Sequence, residues 1–176
     1  GTCQDSARGS INPARTGKCD SEHIMIEKAA NRPYTTAFLG GLAISLFPAW
    51  FVTRLSELFP SLRPEELEVV ANFFSEGIGP VQIVFFMIIT FVIPPLEELV
   101  FRGWLWKAFQ WKLTPYWAWI ATSLLFAAIH MEPLHVLGLL PLSFFLGWLR
   151  MRTGDINASV LAHMTNNAVA CLLMMV

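Results

Sequence analysis

Charge is scarce in this chain of 176 residues: Asp, Glu, Lys and Arg make up only 14 %, against about 25 % in an ordinary soluble domain. Cysteine is scarcer. Cys3, Cys19 and Cys171 are too few and too scattered for a disulfide framework or a C-x-x-C metal site. A basic excess is missing too, since the net charge is −1 and the pI is near 6.5, which leaves no footprint for nucleic acid. Internal repeats and low-complexity tracts are absent. Apolar bulk is abundant instead: 55 % of residues are hydrophobic, with 14 Phe, 7 Trp and a mean hydropathy of +0.52. A soluble domain of this size would expose much of that surface and aggregate. The composition belongs to a membrane protein.

A helix needs about 20 residues to cross roughly 30 Å of hydrocarbon. Five runs lack Asp, Glu, Lys and Arg: Ala37–Thr53, Gly77–Leu96, Leu113–Ile129, Pro133–Leu149 and Ile156–Val176. Hydrocarbon offers no partner to a bare peptide group, so these runs are expected to be helices. The alternating ten-residue pattern of a membrane barrel is not there. The expected fold is therefore all-α, a polytopic transmembrane bundle of five or six helices. Pro64–Ser75 adds an amphipathic surface helix, with Leu67, Val70, Ala71 and Phe74 at helical spacing.

Residues 1–24 are polar, without apolar periodicity or an apolar signal core, and read as a disordered or non-native extension. Met25 would then be the natural start. Residues 25–80 hold the first span and the surface helix, and 81–176 hold the core. Lys28, Arg32, Lys107, Lys112, Arg150 and Arg152 fall on one side of the expected spans, and the acidic segment falls on the other. Cations favour the cytoplasmic face, which places the N-terminus inside and the C-terminus outside.

Ionisable groups in or beside apolar runs are functional candidates by default. Three constellations stand out. In Pro94-Pro95-Leu96-Glu97-Glu98-Leu99-Val100-Phe101-Arg102, Glu98 and Arg102 are four apart and can pair on one helix face. Glu97 is turned about 100° away, without an intrahelical partner. Adjacent carboxylates in a low dielectric do not both ionise easily, which suits one of them to general-base work. The plainer reading is a charged interfacial cap. In Phe126-Ala127-Ala128-Ile129-His130, the His taken alone reads sooner as an interfacial residue satisfied by water or a carbonyl than as a catalytic one. In His163-Met164-Thr165-Asn166-Asn167, His163 and Asn167 share a helix face, a pattern that also serves as helix–helix glue. His135 reads as interfacial, after Pro133.

Geometry links the three. The turn Lys112-Leu113-Thr114-Pro115 has its midpoint at 113.5, and Glu97 and His130 lie 16.5 positions to either side of it. An antiparallel hairpin would set both at one depth, roughly 25 Å from the turn. His163 and Asn167 lie only roughly 9–15 Å into the last span from the same side, so tilt or a recessed hairpin must absorb the difference. A helix over Pro80–Lys112 would reach roughly 50 Å, and Pro94-Pro95 is expected to break or kink it.

Glu-Glu-x-x-x-Arg, Phe-x-x-x-His and His-x-x-x-Asn, in this order on successive apolar helices, resemble the CAAX protease and bacteriocin-processing (CPBP) family, which includes the type II CAAX prenyl endopeptidases. The likeness runs from about Val81 to the C-terminus. It implies an intramembrane endopeptidase acting on a membrane-associated protein or peptide, CAAX-type or bacteriocin-related, lipidated or not. It implies that Glu97, helped by His130, activates a water while His163 and Asn167 stabilise the oxyanion. Glu98, Arg102 and Phe126 would support them. It further implies an integral, multi-pass protein, here of a bacterial cell membrane with a cytoplasmic N-terminus. No cofactor is expected, with Zn²⁺ held by Glu97, His130 and His163 as the alternative; His-Glu-x-x-His is absent. A non-catalytic immunity or interaction protein that binds a peptide toxin is the other reading, and an ion carrier a third. The partners expected are membrane lipid and the substrate, without nucleic acid; oligomeric state is not readable.

Overall fold

The computed structural model of the chain describes residues 13–60, 65–75 and 77–174. Every regular element among them is helical: α1 (Pro13–Leu58), α2 (Glu65–Ser75), α3 (Pro80–Gln110), α4 (Pro115–Ala128), α5 (Pro133–Thr153) and α6 (Asn157–Met174). The all-α expectation holds. Helix α1 starts inside the polar stretch, and residues 1–12 lie outside the described ones. For the expected surface helix, α2 covers Glu65–Ser75 and buries Phe74; Pro64 and the side chains of Leu67 and Ala71 lie outside the described residues.

Local chemistry sets the boundaries. Helices α3, α4 and α5 each open on a proline, whose missing N–H costs nothing in a first turn. Helix α5 ends on Gly154 at φ +79°, the left-handed stop that glycine adopts without a Cβ penalty.

Two helices, α3 and α5, are long and apolar enough to cross a membrane. Helix α3 is built inside out. Thr90, Pro94, Glu98, Phe101, Arg102 and Trp106 face inward, while Val92, Leu96, Leu99, Val100 and Trp104 face outward. Only 17 % of its apolar window is buried. Water would impose the reverse pattern.

Helices α1, α5 and α6 pack through Ala37, Leu142, Leu146, Leu149, Ala158 and Ala162. Small residues let the backbones approach closely. A Cβ on Gly41 would lie 2.5 Å from the Ala162 carbonyl oxygen, and a backbone atom cannot swing aside. Gly41→Ala should therefore cost about 1–3 kcal/mol by forcing α1 off α6, read as a lower thermal midpoint in detergent. An unchanged midpoint would contradict the tight crossing.

The α3–α4 hairpin forms with the expected register. Phe101 and Phe126 lie 12.5 positions on either side of 113.5, and their rings meet edge to face at 5.2 Å. Pro94-Pro95, however, does not break α3. The helix runs through, wound wider than an α-helix over Ile88–Val92 and Leu99–Leu105. A proline inside a helix lacks a donor and its ring crowds the preceding turn; an extra residue in that turn makes room. The Ile93 N–H accordingly reaches back five residues to the Ile88 carbonyl.

Candidate active site

Each departure from regular winding exposes a carbonyl, and a side chain takes it. Ile93 bypasses Ile89, and Pro94 has no N–H to offer; Asn167 Nδ2 on α6 donates to the Ile89 oxygen at 3.1 Å. In the second wide stretch, the Trp106 N–H donates to Phe101 and Gly103 and skips Arg102, whose oxygen accepts from Arg150 Nε on α5 at 2.9 Å. At the end of α4, the His130 N–H tightens onto Ala127, and His130 Nδ1 takes the Phe126 oxygen at 3.1 Å. A buried carbonyl left unpaired costs about 1–3 kcal/mol, so these contacts tie side-chain placement to backbone winding.

The last contact also selects a tautomer. A carbonyl only accepts, so Nδ1 of His130 carries the hydrogen and the neutral ring keeps its lone pair on Nε2.

Glu98 and Arg102 are fully buried and pair at 3.1 Å between Oε1 and Nη1, as their spacing predicts. Burying a lone charge in this interior would cost several kcal/mol, and the pair offsets that cost. The same Oε1 receives His163 Nδ1 at 3.1 Å, while Glu98 Oε2 has no hydrogen-bond partner among the described residues. With its Nδ1–H spent on Glu98, His163 turns Nε2 toward Glu97 Oε2 at 3.6 Å. The Glu97 side chain keeps 26 % of its surface exposed, so it alone of the two carboxylates opens outward.

Phe126 joins the parts. Its ring lies 4.6 Å from the Arg102 guanidinium and 5.4 Å from the His163 ring, with the His130 ring at 5.6 Å. Glu97, Glu98, Arg102, Phe126 and His163 thus form one cluster across α3, α4 and α6. His130 borders it through the Phe126 ring. Asn167 sits one turn beyond His163, with one amide hydrogen on Ile89 and its Oδ1 accepting from Asn166 at 3.3 Å. The near imidazole of Glu97 is His163; helical spacing sets Glu97 and His130 at one depth and says nothing of azimuth. His135 stacks edge-on against His130 at 5.0 Å.

Sequence reading also passed over Ser123, Ser143, Arg150 and Asn166. Serines inside an apolar helix carry only a weak signal, since most bond their own backbone; here Ser143 and Ser123 bond across helices.

Zinc would need three lone pairs converging on one point about 2 Å away. The donor types at Glu97, His130 and His163 are suitable, yet among the described residues no three His, Cys, Asp or Glu side chains stand together closely enough to hold an ion.

Comparison with known proteins agrees with the region these residues occupy. No curated protein and no solved structure matches the chain. The family model described as type II CAAX prenyl endopeptidase Rce1-like matches residues 79–169, which include every member of the cluster. That match covers just over half of the 176 residues, and the chain belongs to the type II CAAX prenyl endopeptidase Rce1-like family.

Proposed function

We propose that the chain is a multi-pass intramembrane endopeptidase that hydrolyses a peptide bond of a membrane-associated protein or peptide, CAAX-type or bacteriocin-related, with a water activated at Glu97. The observation that carries this reading is the chain Arg102–Glu98–His163–Glu97, charged and polar, at the centre of helices whose outer faces are apolar. Intramembrane ionisable groups are costly, and function is the usual reason for them.

In the proposed reaction Glu97 takes a proton from water, and the hydroxide adds to the scissile carbonyl carbon. His130 presents an Nε2 lone pair that can share that proton. The oxyanion receives the second amide hydrogen of Asn167, and His163 Nε2 donates to it only once the ring, Nδ1–H at rest, has taken up a second proton. Collapse breaks the C–N bond, and the amine leaves with the proton held by Glu97. Glu98, neutralised by Arg102, keeps His163 turned toward the reaction.

Placement in the bilayer follows from the bundle ends. Six of the seven Trp (104, 106, 111, 117, 119 and 148) lie toward the end formed by the α3–α4 turn and the α5–α6 turn. Lys107, Lys112, Arg150 and Arg152 lie there too, against Asp155. Tryptophan and cations mark a headgroup region, and the cations mark the cytoplasmic one. This end is the inner one in the proposed topology, with the N-terminus inside.

The test uses purified full-length protein in detergent with quenched fluorescent peptides: a farnesylated C-a-a-X peptide, its unfarnesylated twin and a cationic toxin-like peptide. Cleavage of any of them that is lost in Glu97→Gln supports the reading. Tight binding of the toxin-like peptide without cleavage would replace it with the immunity role.

A further inference from the structure

The first family motif ends at Arg102, but its contacts continue past it onto residues that belong to none of the three motifs. Arg102 is held by α5 at two points. Its Nη2 donates to the Ser143 carbonyl at 2.8 Å and to Ser143 Oγ at 3.1 Å. Its backbone oxygen, skipped by the wide winding of α3, accepts from Arg150 Nε at 2.9 Å. Ser143 and Arg150 are seven residues apart, two turns along one face of α5. Ser143 is itself fixed to α4: its Oγ donates to the Ser123 carbonyl at 2.7 Å, and Ser123 Oγ donates back to the Ser143 carbonyl at 3.1 Å. All three of Ser123, Ser143 and Arg102 are fully buried. Arg150 also lies over the Trp106 ring at 5.7 Å, which limits its swing.

The chain of contacts then runs without a break from Ser123 through Ser143, Arg102 and Glu98 to His163, and so to Glu97. Four helices contribute. Glu98 Oε1 meets Arg102 and His163 directly at 3.1 Å, so its direction is inherited from Arg102, and the direction of Arg102 is inherited from α5.

We propose that Ser143 and Arg150 are positioning residues for the reaction: they clamp Arg102 at its side chain and its backbone, and through Glu98 they hold His163 in the Nδ1–H form that turns Nε2 toward Glu97. This rests on the proposed endopeptidase activity for its kinetic arm only. An oriented group is worth far more than a loose one, because misplacement by about 1 Å can cost about 100-fold in rate. Loss of Ser143 Oγ removes one acceptor from Arg102 and unties α5 from α4 on one side. Replacing Arg150 by Lys keeps the charge but loses the planar Nε–H that reaches the Arg102 oxygen.

Two readouts on full-length protein in detergent test the clamp. With the farnesylated fluorescent peptide, Ser143→Ala and Arg150→Lys should each lower kcat on the order of 10- to 100-fold and leave KM within about twofold. With ¹⁵N-histidine labelling, the wild-type His163 ring should show a single Nδ1–H tautomer, and both variants a mixture of tautomers. Arg150 is only partly buried at the end of its helix, so Arg150→Lys keeps the test decisive if Ser143→Ala does not fold. Wild-type protein that cuts no peptide overturns the proposed activity, while the ring signals still decide the clamp. Unchanged His163 signals in the folded variants overturn the clamp, and so does a rise in KM at constant kcat.

Discussion

Glu97→Gln should lower the turnover of any peptide the protein cuts by about 10²–10⁴-fold, the usual worth of a positioned general base. The amide is the same size as the carboxylate and sits where 26 % of the side chain is exposed, so folding should change little. Its oxygen still accepts a hydrogen bond, but it cannot carry away the proton of water. The effect should fall on kcat, as expected of a group that acts in the transition state more than in peptide binding. Stopped-flow or continuous fluorescence, with the thermal midpoint as the folding control, checks it. A variant that keeps more than about a tenth of wild-type kcat cannot have lost its base.

The second large effect concerns stability. Arg102→Met leaves the Glu98 carboxylate buried without its counter-charge and should cost about 3–5 kcal/mol. The pair is fully excluded from solvent at 3.1 Å, so neither water nor salt can screen the orphan. Glu98→Met combined with Arg102→Met should recover most of that loss, since matched apolar side chains often replace a buried ion pair at little cost. Activity should not recover with it, because His163 Nδ1 then has no acceptor and the ring is free to turn. Heat denaturation in detergent measures the first quantity and peptide turnover the second. Additive stability losses in the double variant would mean that the two side chains are not coupled.

Much of this is legible in the residues themselves. Runs free of charge gave the helices, because hydrocarbon admits little else. The i,i+4 spacing of Glu98 and Arg102 predicted their pairing, and the equal offsets about 113.5 predicted the hairpin that joins Phe101 to Phe126. What escaped was azimuth and local winding. Pro94-Pro95 reads as a break, yet α3 absorbs both prolines by widening one turn, and that same widening frees the Ile89 carbonyl that Asn167 fills. Rigid 1.5 Å steps set His163 too shallow for Glu97. The structure joins them, which on straight helices means that the α3–α4 turn, with Trp111 91 % exposed, projects beyond the start of α6. Ser143 and Arg150 escaped because their partners lie 41 and 48 residues away, and no periodicity carries that information.

If Glu97, oriented within the buried cluster, delivers water to a peptide carbonyl, the oxygen of that water ends in the product. Purified protein is incubated in H₂¹⁸O with each of the three peptides, and the products are weighed. The expected result is one cut in at least one peptide, a single ¹⁸O in the newly formed carboxylate, and at least about 100-fold less product with Glu97→Gln. All three peptides left intact by the folded wild-type protein, or equal ¹⁸O-labelled product from Glu97→Gln, would refute this role of Glu97.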